Sequence, residues 1–258
     1  MELKGKIALV TGAGQGIGKA VARLFAENGA SVAVIDKNEE LLHKMTTESQ
    51  GINQHIVPFP ADIKNREIID KVVEKIEASI GPIDILVNVA GVLRMGSIDF
   101  LSDEDWNTTF SVNSTGVFYV SRAVSKRMMV RKSGAIVTVG SNAANTPRME
   151  MAAYAASKAA ATMFTKCLGL ELAEYNIRCN VVSPGSTETE MQQQLWTEGN
   201  GAKKIIVGSQ DTYRLGIPLK KIATPSEVAE AVLFLASDRA SHITMHNLCV
   251  DGGATLGV

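Results

Sequence analysis

The sequence predicts an α/β protein: a doubly wound, parallel sheet of seven strands with helices on both faces. Short runs rich in β-branched residues alternate with longer segments of helical periodicity, an order typical of βαβ units. Right-handed crossovers between parallel strands leave few other topologies. The predicted strands are 6–11, 31–36, 55–60, 84–88, 134–140, 177–183 and 246–250. The predicted helices are 16–28, 38–49, 65–79, 102–130, 151–174 and 225–236.

The composition is typical of one folded domain covering residues 1–258. Of the 258 residues, 45% are hydrophobic, which is enough for a substantial core, and no linker or repeat interrupts the pattern. The 26 basic and 27 acidic residues leave a formal net charge of −1. A chain so nearly neutral offers no electrostatic surface for nucleic acid or for an anionic membrane, and we expect neither as a partner.

Signals for export, membrane insertion and metal binding are missing from the sequence. The N-terminus enters the first predicted strand without an apolar signal core, and no stretch reaches the roughly 18 apolar residues of a membrane span. Three scattered cysteines, Cys167, Cys179 and Cys249, have neither disulfide nor metal-ligand spacing. We therefore expect a cytoplasmic protein without a metal site.

A glycine-rich turn joins the first predicted strand to the first predicted helix. Glycine permits this tight turn and lets backbone amides at the helix N-terminus approach a pyrophosphate, as in Rossmann-type folds. The spacing, Thr-Gly-x-x-x-Gly-x-Gly, is narrower than the common GxGxxG pattern, although any strand-to-helix turn favours glycine. The predicted dinucleotide contacts here are Gly12, Gln15, Gly16, Ile17 and Gly18.

Asp36 ends the second predicted strand, eighteen residues after Gly18. A carboxylate at this position can accept hydrogen bonds from the adenosine ribose hydroxyls and would repel the extra phosphate of NADP. NAD is therefore the expected cofactor. Asp36 could also serve as a helix N-cap, which does not exclude the first role, and the neighbouring Lys37 is a cation that could tolerate a phosphate.

Four polar residues predict proton chemistry near the middle of the chain. Tyr154 and Lys158 are four residues apart in a predicted helix, so the ammonium lies on the same face and can stabilise a phenolate that is otherwise scarce at neutral pH. Ser141, just past the fifth predicted strand, can donate a hydrogen bond to a substrate oxygen. Asn113 is a candidate to hold a water that links the lysine to solvent. A Tyr-x-x-x-Lys pair alone is common on exposed helices, whereas the full combination favours catalysis.

Taken together, these motifs resemble the short-chain dehydrogenase/reductase family over essentially the full length of the chain. The matching positions are Thr11 to Gly18, Asp62, Asn88-Val89-Ala90-Gly91, Asn113, Ser141, Tyr154, Lys158 and Pro184-Gly185. The family usually has Asn-Asn-Ala-Gly where this chain has Asn-Val-Ala-Gly, a departure that leaves Asn88 and the glycine in place. The resemblance implies alcohol oxidation by hydride transfer, with Tyr154 as general acid/base.

The same resemblance implies further roles and an assembly. Asp62 would contact the adenine, Asn88 would support the central sheet beside the cofactor, and Thr189 would contact the nicotinamide carboxamide. Ala90 and Pro184 belong to the expected cofactor contacts. The implied assembly is a homotetramer that packs through the predicted helices 102–130 and 151–174.

Two arginines and several methionines predict the kind of substrate. Arg94 and Arg148 follow the fourth and fifth predicted strands, where a guanidinium could bind a carboxylate bidentately; alternatively, both are ordinary solvated loop residues. Methionines adapt to flat ligands, and the residues that could wall an apolar ring slot are Met95, Met149, Met151, Met191 and Trp196. Segments around these residues resemble a branch of the family that acts in catechol siderophore biosynthesis. Its substrate is a carboxylated cyclohexadiene diol.

Residues 186–222 break the alternation of strands and helices. Such a long excursion leaving the carboxyl side of the sheet is usually functional, often a lid over the substrate; the alternative is a surface insertion without a role. Two other functions also stay open. One is a 3-oxoacyl carrier-protein reductase of the same family, which would be expected to prefer NADPH, and the other is an NAD-binding protein without catalytic activity.

Overall fold

The computed structural model describes residues 1–48, 55–193 and 201–257, and it confirms the predicted fold class. All seven strands form one parallel sheet in the order β3-β2-β1-β4-β5-β6-β7. The strands are β1 (Ile7–Thr11), β2 (Ser31–Asp36), β3 (Ile56–Pro60), β4 (Ile85–Asn88), β5 (Gly134–Val139), β6 (Ile177–Pro184) and β7 (Asn247–Val250). Because the order reverses between β1 and β4, the sheet has a switch point where such folds bind ligands.

Helices cover both faces of the sheet. The α-helices are α1 (Gly16–Glu27), α2 (Glu39–Glu48), α3 (Arg66–Ser79), α4 (Asp103–Phe110), α5 (Val117–Arg131), α6 (Ala152–Leu172), α7 (Glu190–Gln193), α8 (Gly201–Val207) and α9 (Pro225–Ala236). The segment predicted as one helix, 102–130, is helical from Asp103 to Arg131, but a π-helix, Ser111–Gly116, separates α4 from α5. Short 3-10 turns follow β5, α6 and α9.

Two apolar layers hold the helices against the sheet. Ala8 and Val10 of β1 are fully buried on one face with Phe25 of α1 and Val228 of α9. Leu9, between them in sequence, points to the other face, which is covered by α3 and α5. A strand buried on both faces by this alternation is the expected state for a parallel sheet.

Side chains cap the N-termini of two helices at the boundaries that the structure shows. Asn65 accepts a hydrogen bond from the Ile68 backbone N–H at the start of α3. Thr224 and Glu227 form a capping box at the start of α9, with proline at the first helical position. Each such cap satisfies backbone donors that the helix leaves unpaired and stabilises it by about 1 kcal/mol.

The excursion 186–222 leaves the end of β6 and returns close to its origin. Thr187 pairs in parallel with Ala223, and the Ala223 N–H donates to the Ser186 carbonyl at 3.1 Å. Residues 194–200, including Trp196, lie outside the described part of the chain. Among the residues that are described, no helix combines the length and apolar character needed to cross a bilayer.

Candidate active site

A cavity of about 550 Å³ opens at the carboxyl edge of the sheet, over the switch point. It extends from Asp36 at the end of β2, past the glycine turn, to Tyr154 and Arg148. The predicted cofactor residues on its wall are Gly12, Gln15, Gly16, Ile17, Gly18, Asp36, Asp62, Ala90, Tyr154, Lys158, Pro184 and Thr189. Ser141 and the three predicted substrate residues, Arg94, Arg148 and Met191, also line it.

The turn after β1 has room only for glycine at two positions. A Cβ added to Gly12 would lie 2.6 Å from the Ala90 Cα, and one added to Gly18 would lie 2.1 Å from the Gly12 carbonyl oxygen. Gln15, at the N-cap of α1, makes no side-chain cap hydrogen bond, and the first turn of the helix carries no acidic residue. The helix N-terminus is thus a site that can hold an anionic phosphate group.

Asp36 lies beside this turn. Its Oδ2 accepts a hydrogen bond from the Gly14 N–H at 3.1 Å, and its Oδ1 accepts one from the Asn38 N–H at 3.0 Å. A carboxylate has about four acceptor positions, so two backbone donors leave capacity for ribose hydroxyls. The alternative N-cap role falls to Asn38, whose Oδ1 accepts from the Leu41 N–H at 3.1 Å.

Thr11, at the end of β1, is a structural residue that the sequence reasoning did not single out. It is buried, and its Oγ1 accepts hydrogen bonds from the backbone N–H groups of Val89 and Ala90 at 3.1 and 3.3 Å. This contact fixes the turn after β4 against the glycine turn. The position of this threonine at the start of the glycine motif could have indicated the role from the sequence.

Asn88 is the one predicted cofactor residue that the structure places off the cavity wall. Its Nδ2 donates to Ser121 Oγ at 3.0 Å and, less closely, to Thr138 Oγ1 at 3.5 Å, joining β4 to α5 and β5. Asn88 therefore supports the central sheet beneath the site, as the family resemblance implied. Contact with the cofactor is not supported by this placement.

Ser141, Tyr154 and Lys158 meet on the cavity wall. Tyr154 lies in the first turn of α6 and Lys158 one turn later, and Ser141 follows β5, with its side chain close enough to Tyr154 to lower the pKa of the phenol. The Lys158 ammonium donates to the Val139 carbonyl at 2.9 Å and lies 5.9 Å from the centre of the Tyr154 ring. The three side chains predicted to act together are brought together.

Burial dominates the protonation of this cluster. Desolvation lowers the pKa of the buried Lys158 ammonium from 10.5 to about 8. Desolvation also raises the pKa of Tyr154, and the hydrogen bond with Ser141 offsets only part of that rise. The expected lowering of the Tyr154 pKa by Lys158 is not seen in this structure: burial has the largest effect, because taking the phenolate out of water is costly.

Asn113 lies in the π-helix, immediately behind the cavity wall. Its Oδ1 accepts from the Val92 N–H at 2.8 Å, and its Nδ2 donates to the Val92 carbonyl at 2.9 Å and to Ser157 Oγ at 3.0 Å. The side chain is therefore committed to protein partners rather than to a water. A π-helix shifts the helical register locally and often marks a functional site.

The two predicted arginines differ in their surroundings. Arg94 is exposed, and its Nε lies 3.3 Å from Asp105 Oδ1. Arg148 is half-buried; burial lowers its pKa and the nearby Asp251 carboxylate opposes that change. Arg148 is thus the better placed of the two to meet an anion.

Of the methionines predicted to contact the substrate, some line the cavity and one does not. Met95, Met151 and Met191 line the cavity, whereas Met149 does not and is 54% exposed. Arg214, the single arginine of 186–222, also lines the cavity. Sequence reasoning missed it because its approach to Arg148 depends on how the excursion folds back.

The family model for short chain dehydrogenase matches residues 6–200. The chain belongs to the short chain dehydrogenase family. The glycine turn, Ser141, Tyr154 and Lys158 all lie within the matched region.

Several relatives match over nearly the full length of both chains, and two of them share one activity. The chain is 65% identical over 256 residues to the 2,3-dihydro-2,3-dihydroxybenzoate dehydrogenase of Bacillus subtilis, covering 99% of this chain and 98% of the relative. It is 46% identical to the enzyme of that name from Escherichia coli, with complete coverage of both chains. The 3-oxoacyl-[acyl-carrier-protein] reductase of Thermotoga maritima is 38% identical over 99% of this chain and 100% of its own.

Solved structures of the same family superpose closely. A gluconate 5-dehydrogenase from Burkholderia cenocepacia, in complex with NADP and tartrate, matches with a TM-score of 0.91 at 32% identity, covering 100% of this chain and 98% of the other. The short-chain dehydrogenase architecture therefore extends over the entire sequence, including the regions beyond residue 200.

Proposed function

We propose that this protein oxidises 2,3-dihydro-2,3-dihydroxybenzoate to 2,3-dihydroxybenzoate with NAD, in the biosynthesis of catechol siderophores. The observation that carries the proposal is the 65% identity, over nearly the full length of both chains, to the Bacillus subtilis enzyme of that activity. A 44% identical relative from Vibrio cholerae is a vibriobactin-specific dehydrogenase for the same compound. The acyl thioester reductase alternative is disfavoured, since its example shares only 38%.

The residues present fit a nicotinamide dinucleotide. The uncapped N-terminus of α1 and the glycine turn would hold the pyrophosphate. Asp36 would accept the adenosine ribose hydroxyls, Asp62 would contact the adenine, and Thr189 would reach the carboxamide. Because a second negative charge next to Asp36 would be repelled, NAD is favoured over NADP. When bound, NAD supplies the acceptor for the hydride that leaves the alcohol carbon.

Tyr154 is the proposed general base. Its phenolate oxygen takes the proton of the C3 hydroxyl as that carbon loses its hydride. Ser141 Oγ donates a hydrogen bond to the same substrate oxygen and steadies the charge that develops on it. Lys158, fixed by the Val139 carbonyl, favours the phenolate and has two further N–H donors for ribose hydroxyls. Asn113 supports this arrangement by fixing the Val92 backbone and Ser157.

The ring then becomes aromatic. Oxidation leaves a carbonyl at C3, and transfer of the C2 proton to oxygen converts the product into a catechol. The gain of aromaticity drives the reaction towards oxidation, which suits an NAD enzyme. Arg148 would hold the carboxylate, and Met151 and Met191, both on the cavity wall, would contact the flat ring.

The segment 186–222 is proposed to form the substrate lid of a single-domain protein. Thr189, Met191 and Arg214 of this segment line the cavity, so it contributes to both the dinucleotide and the substrate parts of the site. Mobile covers of this kind exclude water and complete the site after substrate has entered.

The assembly is proposed to be a homotetramer in the cytoplasm. Large apolar side chains are exposed on α4 to α6, among them Trp106, Phe118, Met163 and Leu170. Such apolar patches are typical of contacts between protomers. Light scattering should give the mass of four protomers, and a monomeric mass would contradict the assembly. The three free thiols of the described chain suit a reducing compartment.

A direct turnover assay tests the activity. Purified protein mixed with NAD and 2,3-dihydro-2,3-dihydroxybenzoate is expected to form one NADH and one 2,3-dihydroxybenzoate for each diol consumed. NADPH-dependent reduction of a 3-oxoacyl thioester, without oxidation of the diol, would overturn the proposal. Absence of both reactions, with NAD still bound, would favour the non-catalytic alternative.

A further inference from the structure

We propose that Arg148 and Arg214 together form a two-arginine clamp for the substrate carboxylate, and that Arg214 makes the enzyme specific for anionic diols. This inference rests on the function proposed above and extends it to a residue outside the catalytic cluster. It assigns the excursion 186–222 a chemical task in addition to covering the site.

Arg148 and Arg214 lie close together on one cavity wall. Both line the cavity that also contains Tyr154 and Met151. Arg148 belongs to the loop between β5 and α6, and Arg214 belongs to the segment between α8 and α9. The charge of Arg148 is felt by Arg214, so two arginines from distant parts of the chain are near enough to act on one anion.

The positive charge of these two arginines is largely unbalanced. Within the described residues, neither Arg148 nor Arg214 lies within 4.0 Å of a carboxylate oxygen. Both are half-buried. Burial lowers the pKa of Arg214, and the positive charge of Arg148 lowers it further. Like charges held together away from water are costly unless an anion joins them.

Asp251 balances only part of this charge. Its carboxylate raises the pKa of Arg148, but its oxygens already accept hydrogen bonds from Asn142, Thr255 and the Gly253 N–H, at 3.2, 2.7 and 2.9 Å. Asp251 acts on Arg148 and is already committed to other donors, so it does not balance both guanidinium charges. A substrate carboxylate would supply a negative charge between them, and a neutral catechol would not.

Arg214 is held in position by backbone hydrogen bonds on both sides of it. Its backbone closes a tight hairpin with Ser209, in which each N–H donates to the other residue's carbonyl, at 2.8 and 2.9 Å. The Ile217 N–H donates to the Ile206 carbonyl of α8 at 2.9 Å, and the Leu219 N–H donates to the Gly252 carbonyl at 3.1 Å. A side chain mounted on such a fixed hairpin loses less entropy on binding a ligand than one on a loose loop.

Arg94 does not belong to this clamp. It is exposed and already lies 3.3 Å from Asp105, so it has a carboxylate partner without a ligand. Of the two arginines predicted from the sequence to bind the carboxylate, only Arg148 is retained in the clamp. Its partner there is Arg214 instead of Arg94.

Binding of product analogues tests the clamp without turnover. Calorimetry with the protein–NADH complex would compare 2,3-dihydroxybenzoate, which carries the carboxylate, with catechol, which lacks it. The wild type is expected to prefer 2,3-dihydroxybenzoate, and Arg214→Gln is expected to reduce that preference by about 30-fold or more. Arg214→Lys keeps the charge but loses the bidentate geometry, so its preference for 2,3-dihydroxybenzoate should lie between those of the wild type and Arg214→Gln.

A matched control and a stability measurement separate anion binding from a structural role. Arg239→Gln removes an exposed arginine that pairs with Glu2 at 3.0 Å, and it should leave the preference unchanged. Without ligand, Arg214→Gln should melt at the same temperature as the wild type or higher, because it relieves repulsion from Arg148. An unchanged carboxylate preference in folded Arg214→Gln protein would overturn the clamp, whatever its melting temperature.

Activity distinguishes failure of the clamp from failure of the proposed function. If the wild type oxidises the carboxylated diol with NAD, and Arg214→Gln slows this diol and an uncharged cyclohexadiene diol equally, the clamp is wrong and the function stands. If the wild type oxidises no diol but binds 2,3-dihydroxybenzoate through Arg214, the function is wrong and the anion site stands. Arg214→Lys supplies the same comparison should Arg214→Gln fail to fold.

Discussion

Lys158 is expected to lower the stability of the protein at neutral pH, and replacing it tests the electrostatics of the site. Burial lowers its pKa from 10.5 to about 8. Between these values the unfolded chain binds a proton that the folded protein does not, so stability rises with pH through this window. A difference of this size corresponds to about 3 kcal/mol.

The perturbation is Lys158→Met, which removes the charge and keeps a similar length. At pH 7 the variant avoids the cost of about 3 kcal/mol but loses the hydrogen bond to the Val139 carbonyl, worth about 1 kcal/mol. We expect it to be more stable than the wild type by about 2 kcal/mol. As the pH rises to 10.5, the wild type should gain about 3 kcal/mol relative to the variant.

Urea unfolding without added NAD measures this difference, at one fixed protomer concentration, because dissociation of an oligomer would otherwise contribute. Lys71→Met, at an exposed position of α3, is the matched control and should show no such trend. If the difference in unfolding free energy between the wild type and Lys158→Met stays constant from pH 7 to 10.5, the assignment of a buried, charged ammonium is refuted.

Two further changes test the cofactor part of the site. Asp36→Asn keeps the shape and the possibility of hydrogen bonding but removes the charge, so the ratio of kcat/KM for NADP to that for NAD should rise by about tenfold or more; an unchanged ratio would contradict the proposed basis of selectivity. Gly18→Ala would place a Cβ 2.1 Å from the Gly12 carbonyl oxygen, so NAD binding should weaken by about tenfold or more and the melting temperature should fall. Wild-type NAD affinity in a normally folded Gly18→Ala protein would show that the turn is not needed for the cofactor.

The elements that the sequence predicted well depend on local patterns. Strand β2 and helix α9 have the predicted bounds, because β-branched runs and a Thr-Pro-Ser-Glu start act within a few residues. The glycine turn was predictable for the same reason. Gly12 and Gly18 contact backbone so closely that no other residue fits.

The features that the sequence did not predict depend on tertiary contacts. The π-helix at Ser111–Gly116 was not predicted, because apolar periodicity indicates which face of a helix is buried but not the hydrogen-bond pattern of each turn. The direction of Asn88 depends on Ser121 and Thr138, which lie on other elements. Arg214 approaches Arg148 only after the excursion has folded back.

The protonation of Tyr154 was the least predictable property of the site. Spacing placed Lys158 on the same helical face, and the structure agrees. Spacing could not show that burial raises the pKa of Tyr154 by more than its neighbours lower it. The balance of desolvation and charge needs coordinates for every surrounding atom.

Tyr154→Phe gives the most direct test of the central claim, that the Tyr154 oxygen removes the substrate proton. Single-turnover formation of NADH would be measured with saturating NAD and 2,3-dihydro-2,3-dihydroxybenzoate, alongside NAD affinity. The account predicts a rate lower by about 10²- to 10⁴-fold with NAD affinity retained. A rate close to that of the wild type would contradict it.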